Sequence, residues 1–218
     1  MKRTYVYIDG FNFYYGCYKD ISRPNWAKYK WLDLERFCDA LFPKDNIVTI
    51  KYYTALVNNR PPDNHQHDRQ KIYLAALTQL KRVEVIHGHF LTEKRKMPLC
   101  SSSGTYLGRS AWVLKTEEKG SDVNLAVDLL YDCIKGLYDY AMVISNDSDL
   151  VAPIKIVRTD FGKKIGLVNP HTKRPSIQLV HNVDLRFRIT EAMMASSQLP
   201  GVVKTSAGIA LQCPTSWR

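Results

Sequence analysis

The chain has 218 residues, 45% of them hydrophobic, which is enough for one domain with a substantial core and a small appendage. Lysine and arginine outnumber aspartate and glutamate by 31 to 21, and the net charge of +10 favours a polyanionic partner, nucleic acid above all. The basic start leads into a short apolar run cut by Asp9, and five scattered cysteines lack any C-x-x-C pair; neither signal peptide, membrane span, disulfide frame nor zinc site is expected, and the cytosol is the default location.

Residues 4–8 are β-rich and end in Asp9-Gly10-Phe11-Asn12, a strand followed by a turn signal. Phe11, Tyr14, Tyr15 and Tyr18 then recur at helical spacing, which reads first as a core stripe lying on the sheet and second as a base-stacking platform, with the rings of Phe11 and Phe13 free at the turn. The spacing of Leu34, Phe37, Cys38 and Leu41 predicts a helix over 31–42, stopped by Pro43, and 46–57 is β-branched and aromatic enough for a second strand. A helix over 63–82 with Ile72, Ala75, Ala76 and Leu80 inward precedes a strand over 83–90. This β-α-β-α-β order calls for a parallel sheet covered by helices on both sides.

The pairs His65/His67 and His87/His89 have no cysteine or clustered acid beside them, so they read as solvated or phosphate-contacting side chains before zinc ligands. Residues 91–116 lose periodicity and read as a long loop carrying Lys94, Arg95, Lys96, Arg109 and Lys115, either a solvated surface or a guide for nucleic acid. Over 123–135 the helical wheel puts Val123, Leu125, Ala126, Leu129, Leu130 and Cys133 on an apolar arc, together with Val127 and Ile134, and sets Asn124, Asp128, Tyr131, Asp132 and Lys135 opposite. Asp122 falls inside the apolar arc at the helix start, awkward for a carboxylate unless something positive meets it, although it or Ser121 also serves as an ordinary cap.

The apolar run 141–144 predicts a buried strand, and helical spacing resumes over 150–157, so Ser145-Asn146-Asp147-Ser148-Asp149 lies at a strand-to-helix turn. In a parallel sheet such turns lie at the carboxyl edge, where ligands bind; helix capping by Asp147 or Ser148 is the plain alternative. A strand over 163–168, a short helix over 176–182, an edge strand over 185–189 and a helical turn or two over 190–196 complete the order. Residues 198–218 mix Pro, Gly, Ser and Thr, leaving open whether they wrap the domain or fray.

Asp9, Asp122, Asp147 and Asp149 can converge on one sheet edge. Two carboxylates about 5 Å apart repel by about 3 kcal/mol at an effective dielectric near 20, so a divalent cation or protonation must relieve them. An all-oxygen acidic set suits Mg²⁺ or Mn²⁺, and such an ion beside a phosphodiester polarises the phosphoryl oxygen and activates water. With the chain at +10, the compensating cations are expected around the rim of the acidic pocket. P-loop and dinucleotide-binding glycine motifs are absent, and Phe11 stands where an aspartyl-phosphatase would want its second Asp.

Three stretches carry a family resemblance: YVYIDGFNFYYG, KGSDVNLAVDLL and VISNDSDLVAPI. They resemble, in order, the opening Asp-x-x-Asn strand, the Lys-Gly-x-Asp helix and the third acidic motif of the LabA-like NYN domains, a branch of the PIN-like nucleases. The resemblance spans roughly 4–170 and implies an α/β, Rossmann-like three-layer α/β/α PIN-like fold with a mainly parallel central sheet, taken here over 1–190, with 191–218 as a tail. It implies Mg²⁺- or Mn²⁺-dependent endonuclease chemistry, typically on RNA, with Asp9, Asp122, Asp147 and Asp149 as metal-binding carboxylates, Asn12 and Ser145 orienting them, and Lys94, Arg95, Lys96, Arg109 and Lys119 on the nucleic acid. Asn146 departs from the family's more usual Gly. A nuclease acting on DNA, and a non-catalytic RNA-binding or regulatory module working through protein partners, are the alternatives; homo-oligomerisation is left open.

Overall fold

The computed structural model describes residues 2–59 and 61–217. Alternation decides the first strand, β1 (Arg3–Asp9): Val6 and Ile8 enter the core on one side of the sheet and Tyr7 the core on the other, so the strand is covered on both faces. Helix α1 (Gly10–Tyr18) follows with no intervening loop. Gly10 makes this turn possible, because a Cβ there would stand 2.5 Å from the Tyr53 carbonyl oxygen. Helix α2 (Leu34–Leu41) is capped by Asp33, which accepts from the amides of Glu35 and Arg36. Strand β2 (Asn46–Thr54), helix α3 (Gln66–Leu77) and strand β3 (Val83–His87) complete the first half.

Strands β4 (His89–Cys100) and β5 (Tyr106–Lys119) form an antiparallel hairpin that is a two-stranded sheet of its own. This corrects the expectation of a loop over 91–116. Most of its side chains are exposed on both faces, so no buried side imposed the alternation that marks a strand. Gly120, at φ 98°, turns the chain into helix α4 (Ser121–Ile134). Strand β6 (Tyr140–Ile144), helix α5 (Val151–Thr159), strand β7 (Lys164–Val168), helix α6 (Ile177–His181) and strand β8 (Leu185–Phe187) form the second half.

The central sheet has six strands in the order β3-β2-β1-β6-β7-β8, each pairing parallel. The order runs outward in both directions from β1 and β6, so the switch point, where open α/β sheets leave a crevice, lies at the carboxyl ends of these two strands. One layer packs α1, α2 and α3 through Phe13, Phe37 and Leu77; the other packs α4, α5 and α6 through Leu129, Ile154 and Leu179. This is the three-layer α/β/α arrangement the sequence implies.

Residues 191–217 lie on the first layer. Helix α7 (Glu191–Ser196) buries Met194, the Leu199 amide donates to Trp31 O at 2.9 Å, and a small hairpin of β9 (Val202–Lys204) and β10 (Ala210–Gln212) follows. Trp217 then returns to rest against Trp31 and Tyr73. Cys17, Cys38, Cys100 and Cys133 are free thiols, and no helix among the described residues is long and apolar enough to cross a membrane.

Two assignments on helices shift. On α1 the buried positions are Gly10, Phe13, Gly16 and Cys17; of the ring stripe read as core, Tyr18 packs against it, Phe11 and Tyr14 are half-buried and Tyr15 is exposed. On α4 the buried positions are Ser121, Leu125, Leu129, Asp132 and Cys133, whereas Val123, Val127 and Ile134 are exposed. Asp132, expected on the polar side, is 3% exposed because the sheet supplies its partners: Lys51 Nζ of β2 lies 2.7 Å and Tyr7 Oη of β1 2.8 Å from its Oδ2. Burial acts to lower the Lys51 pKa, but the hydrogen bond and charge of Asp132 outweigh it and hold the ammonium above its ordinary value.

Candidate active site

Asp9 ends β1 at the switch point and is 4% exposed. Both its oxygens are engaged: the Asn12 amide donates to Oδ1 at 2.9 Å, capping α1, and the Ser145 hydroxyl donates to Oδ2 at 2.9 Å. Ser145, the first residue after β6, also accepts from the Asp147 amide at 3.0 Å, so one hydroxyl joins the acid of β1 to the turn that carries the next acid. Asp147 in turn accepts from the Asp149 amide at 2.9 Å and caps a short 3₁₀ turn over Ser148–Leu150. Capping and site-building are here the same contacts.

A cavity of about 450 Å³ opens over this point, lined by Asp9, Asn12, Asp122, Asp147, Glu118 and His171 among others. Asp122 enters it half-buried from the first turn of α4. Asp149 is exposed beyond the lining, yet its charge adds to those of Asp147 and Glu118 on Asp122, whose pKa is raised by burial first and by these neighbours after it. Burial, followed by the charges of Asp122 and Asp147, lifts Asp9 to about 6 against the lowering pull of the Asn12 and Ser145 hydrogen bonds. Among the described residues no three His, Cys, Asp or Glu side chains are gathered closely enough to hold a metal ion. The carboxylates therefore share one cavity and one field without forming a closed shell, the arrangement mutual repulsion favours.

Among the described residues, Glu118 and His171 are the titratable lining residues outside the motifs. Glu118 accepts from the Ser121 amide at 3.0 Å and hydroxyl at 2.7 Å, fixing the start of α4; its place three residues before Ser121 was the available signal. His171, after β7, lies with Nε2 3.0 Å from Asn12 Oδ1, which also accepts from the Asn146 amide at 3.0 Å. Since that oxygen only accepts, His171 carries its proton on Nε2. Burial lowers the His171 pKa below the ordinary imidazole value. Asn146, the departure from the resembled motif, accepts from the Ser176 amide at 2.7 Å and ties the site turn to the cap of α6.

The basic residues fall elsewhere. Among the described residues no lysine or arginine lines this cavity itself. Lys119 pairs with Glu117 at 3.2 Å, and Lys115 pairs with the same carboxylate; these hydrogen bonds hold Glu117 down at about 2. Arg95 is paired with Glu93 at 2.8 Å. Strand register divides the rest: Phe90/Glu118, Thr92/Thr116, Lys94/Leu114 and Lys96/Trp112 are cross-strand pairs on one face, whose foot (Phe90, Thr116, Glu118) lines the acidic cavity. Arg95, paired with Val113, projects from the other face; Arg109 lies at the register irregularity beside Gly108, outside the paired positions.

The NYN domain model matches residues 3–189. The chain belongs to the NYN domain family. That family lies within the PIN-like nuclease superfamily, as the fold and the three motifs imply. A relative from Pseudomonas putida (strain DSM 28022 / S16), 6-hydroxy-3-succinoylpyridine 3-monooxygenase HspA, is 30% identical over 92% of this chain and 71% of its own. A solved protein of unknown function from Vibrio parahaemolyticus RIMD 2210633 shares the fold at a TM-score of 0.54 and 18% identity, covering 87% of this chain and 94% of its own.

One expectation concerns acidity alone. A carboxyl raised from 3.8 to about 6 on folding binds its proton more tightly in the folded state, so stability falls as pH rises through that window and the loss is complete above it. For Asp9 this is about 3 kcal/mol. Urea unfolding in EDTA at a series of pH values is expected to show this decline between about pH 4 and pH 7 in wild type and to lose most of it in Asp9→Asn. An identical decline in both proteins would assign it to other groups.

Proposed function

We propose that this NYN domain is a Mg²⁺- or Mn²⁺-dependent endoribonuclease. The observation that carries the reading is the meeting of Asp9, Asp122 and Asp147 in one cavity at the switch point, with Asp9 and Asp122 each held above the ordinary carboxylate range by burial and by neighbouring carboxylates, Asp147 common to both. The donor set is of the hard, all-oxygen kind that these ions take; Asp9, Asp122, Asp147 and Asp149 would hold the ion, with side-chain movement to close the shell. When bound, the ion supplies phosphoryl polarisation and a water of lowered pKa. The chain's own residues do the positioning: Ser145 and the Asn12 amide fix Asp9, the Asn12 side chain steadies the 145–149 turn and His171, and Glu118 sets where α4 begins.

The substrate strand would leave the cavity along the hairpin face that bears Thr92, Lys94, Lys96 and Trp112, where Lys94 Nζ stands 4.9 Å from the Trp112 ring centroid. Stacking on an exposed indole beside ammonium groups suits single-stranded nucleic acid. Lys94→Ala with Lys96→Ala is expected to reduce the salt slope of the logarithm of RNA affinity by about 0.7 per lost phosphate contact, while Arg95→Ala, on the far face, leaves it nearly unchanged. Titrations at several salt concentrations distinguish the two faces.

Incubation of purified protein with labelled single-stranded RNA and DNA in Mg²⁺, Mn²⁺ or EDTA tests the reading. Cleavage of DNA in preference to RNA would change the substrate class, and binding without cleavage would favour the non-catalytic module. A second reading follows from the relative's name, oxygen insertion into a small hydroxylated pyridine; the observation favouring it is an aromatic-walled cavity beside the acidic one.

A further inference from the structure

Rings of α1, Phe11, Tyr14, Tyr15 and Tyr18 among them, wall a second cavity, of about 670 Å³, which shares Phe11 and Tyr15 with the acidic one. That is the size of a small-ligand site. Its walls include Tyr14, Tyr52, Tyr73 and Trp217, contributed by α1, β2, α3 and the end of the chain. Its charge is uneven. Lys30 Nζ lies 5.4 Å from the Tyr14 ring centroid and 5.9 Å from that of Trp217, and Lys19 Nζ approaches Tyr14 at 6.0 Å. Arg69 is matched by Asp63, but among the described residues neither Lys19 nor Lys30 has a carboxylate partner. Burial and the nearby charges of Lys19 and Arg69 push the Lys30 pKa below its ordinary value. Placing unpaired ammonium groups around an aromatic cleft costs electrostatic energy that an anion entering the cleft would relieve.

We infer that this cavity is a binding site for a planar aromatic ring bearing an anionic group, the ring seated among Tyr14, Tyr52 and Trp217 and the anion met by Lys30 and Lys19. Two sources share that chemistry: an unpaired nucleotide, whose phosphate would lead over Phe11 and Tyr15 to the acidic cavity, and a small aromatic carboxylate. Stacking holds the ring without regard to its identity, and the ammonium groups select for charge. The inference concerns binding alone and does not rest on the hydrolytic reading.

The test is isothermal titration of the full chain in EDTA, so that no turnover intervenes, with adenosine 5′-monophosphate and 6-hydroxynicotinate as ring-plus-anion probes. Adenosine and 2-hydroxypyridine supply the respective rings alone, and ribose 5-phosphate the nucleotide's anion alone. At least one combined probe is expected to bind about tenfold or more tightly than its part, and which one binds better names the source. Lys30→Met, which keeps the aliphatic stem, is expected to weaken that probe about tenfold, and Tyr14→Leu is expected to weaken it as well. The comparison of whole and partial probes needs no variant, so a misfolded substitution leaves the test intact. Absence of binding by both combined probes at millimolar concentration, ribose 5-phosphate binding as tightly as the nucleotide, or a folded Lys30→Met protein binding like wild type would each overturn the inference.

Discussion

Asp147→Asn is expected to lower metal-dependent RNA cleavage by at least about a hundredfold while leaving the fold intact. The asparagine keeps an oxygen to accept from the Asp149 amide, and its own backbone N–H still donates to Ser145, so the 145–149 turn retains its hydrogen bonds. What is lost is one negative charge in a cavity where Asp9 and Asp122 are already raised partly by that charge. Without metal the variant is expected to melt at the same temperature as wild type or higher, because repulsion is relieved. Single-turnover cleavage with Mn²⁺ and thermal unfolding in EDTA separate the two effects. Full activity in a cleanly purified variant would remove Asp147 from the catalytic set.

The second large effect lies away from the acids. Lys51→Met is expected to destabilise the protein by about 3 to 5 kcal/mol, because it strands the Asp132 carboxylate in the core with only the Tyr7 hydroxyl as donor. For a chain of this size that corresponds to a fall of about 10 °C or more in melting temperature. The pair also sets function, since it anchors α4 to β2 and α4 carries Asp122 into the cavity. Replacing both partners, Lys51→Met with Asp132→Leu, is expected to recover much of the stability, as apolar groups tolerate burial where an unpaired charge does not. A single Lys51→Met protein as stable as wild type would show that Asp132 finds another partner or takes up a proton at little cost.

The parts of the fold legible in the sequence are those with a buried face. The run ending at Asp9 and the run 141–144 had to be strands covered on both sides, and the turns after them had to meet at one sheet edge. The hairpin over 89–119 had no such constraint: with solvent on both faces, its sequence answers to its partner, not to a core. The same two-residue alternation, invisible in the sequence, separates Lys94 and Lys96 from Arg95, which composition had grouped together. Asp132 was misplaced because a helical wheel sees only its own helix, and Lys51, which makes its burial tolerable, comes from β2. On α1, ring identity suggested the inward face, whereas the observed one follows Gly10 and Gly16, small enough for close approach to Tyr53 and Pro170. His171 had no local signal, its role arising only where the chain after β7 returns to Asn12.

The central claim is that the acids at the switch point form one cation site, and thermal unfolding with and without Mg²⁺ or Mn²⁺ at matched ionic strength tests it most directly. A cation bound only by the folded state, present at about 100 times its dissociation constant, stabilises by about 2.7 kcal/mol, which for this chain length is a rise of about 5 to 11 °C. Wild type is expected to show that rise and Asp122→Asn to lose most of it. Asp128→Asn is expected to keep it, since Asp128 is occupied by the Tyr53 hydroxyl at 2.9 Å and Lys51 at 3.5 Å, outside the cavity. No metal-dependent rise in wild type at millimolar concentration, or a rise lost in Asp128→Asn and kept in Asp122→Asn, would contradict the site.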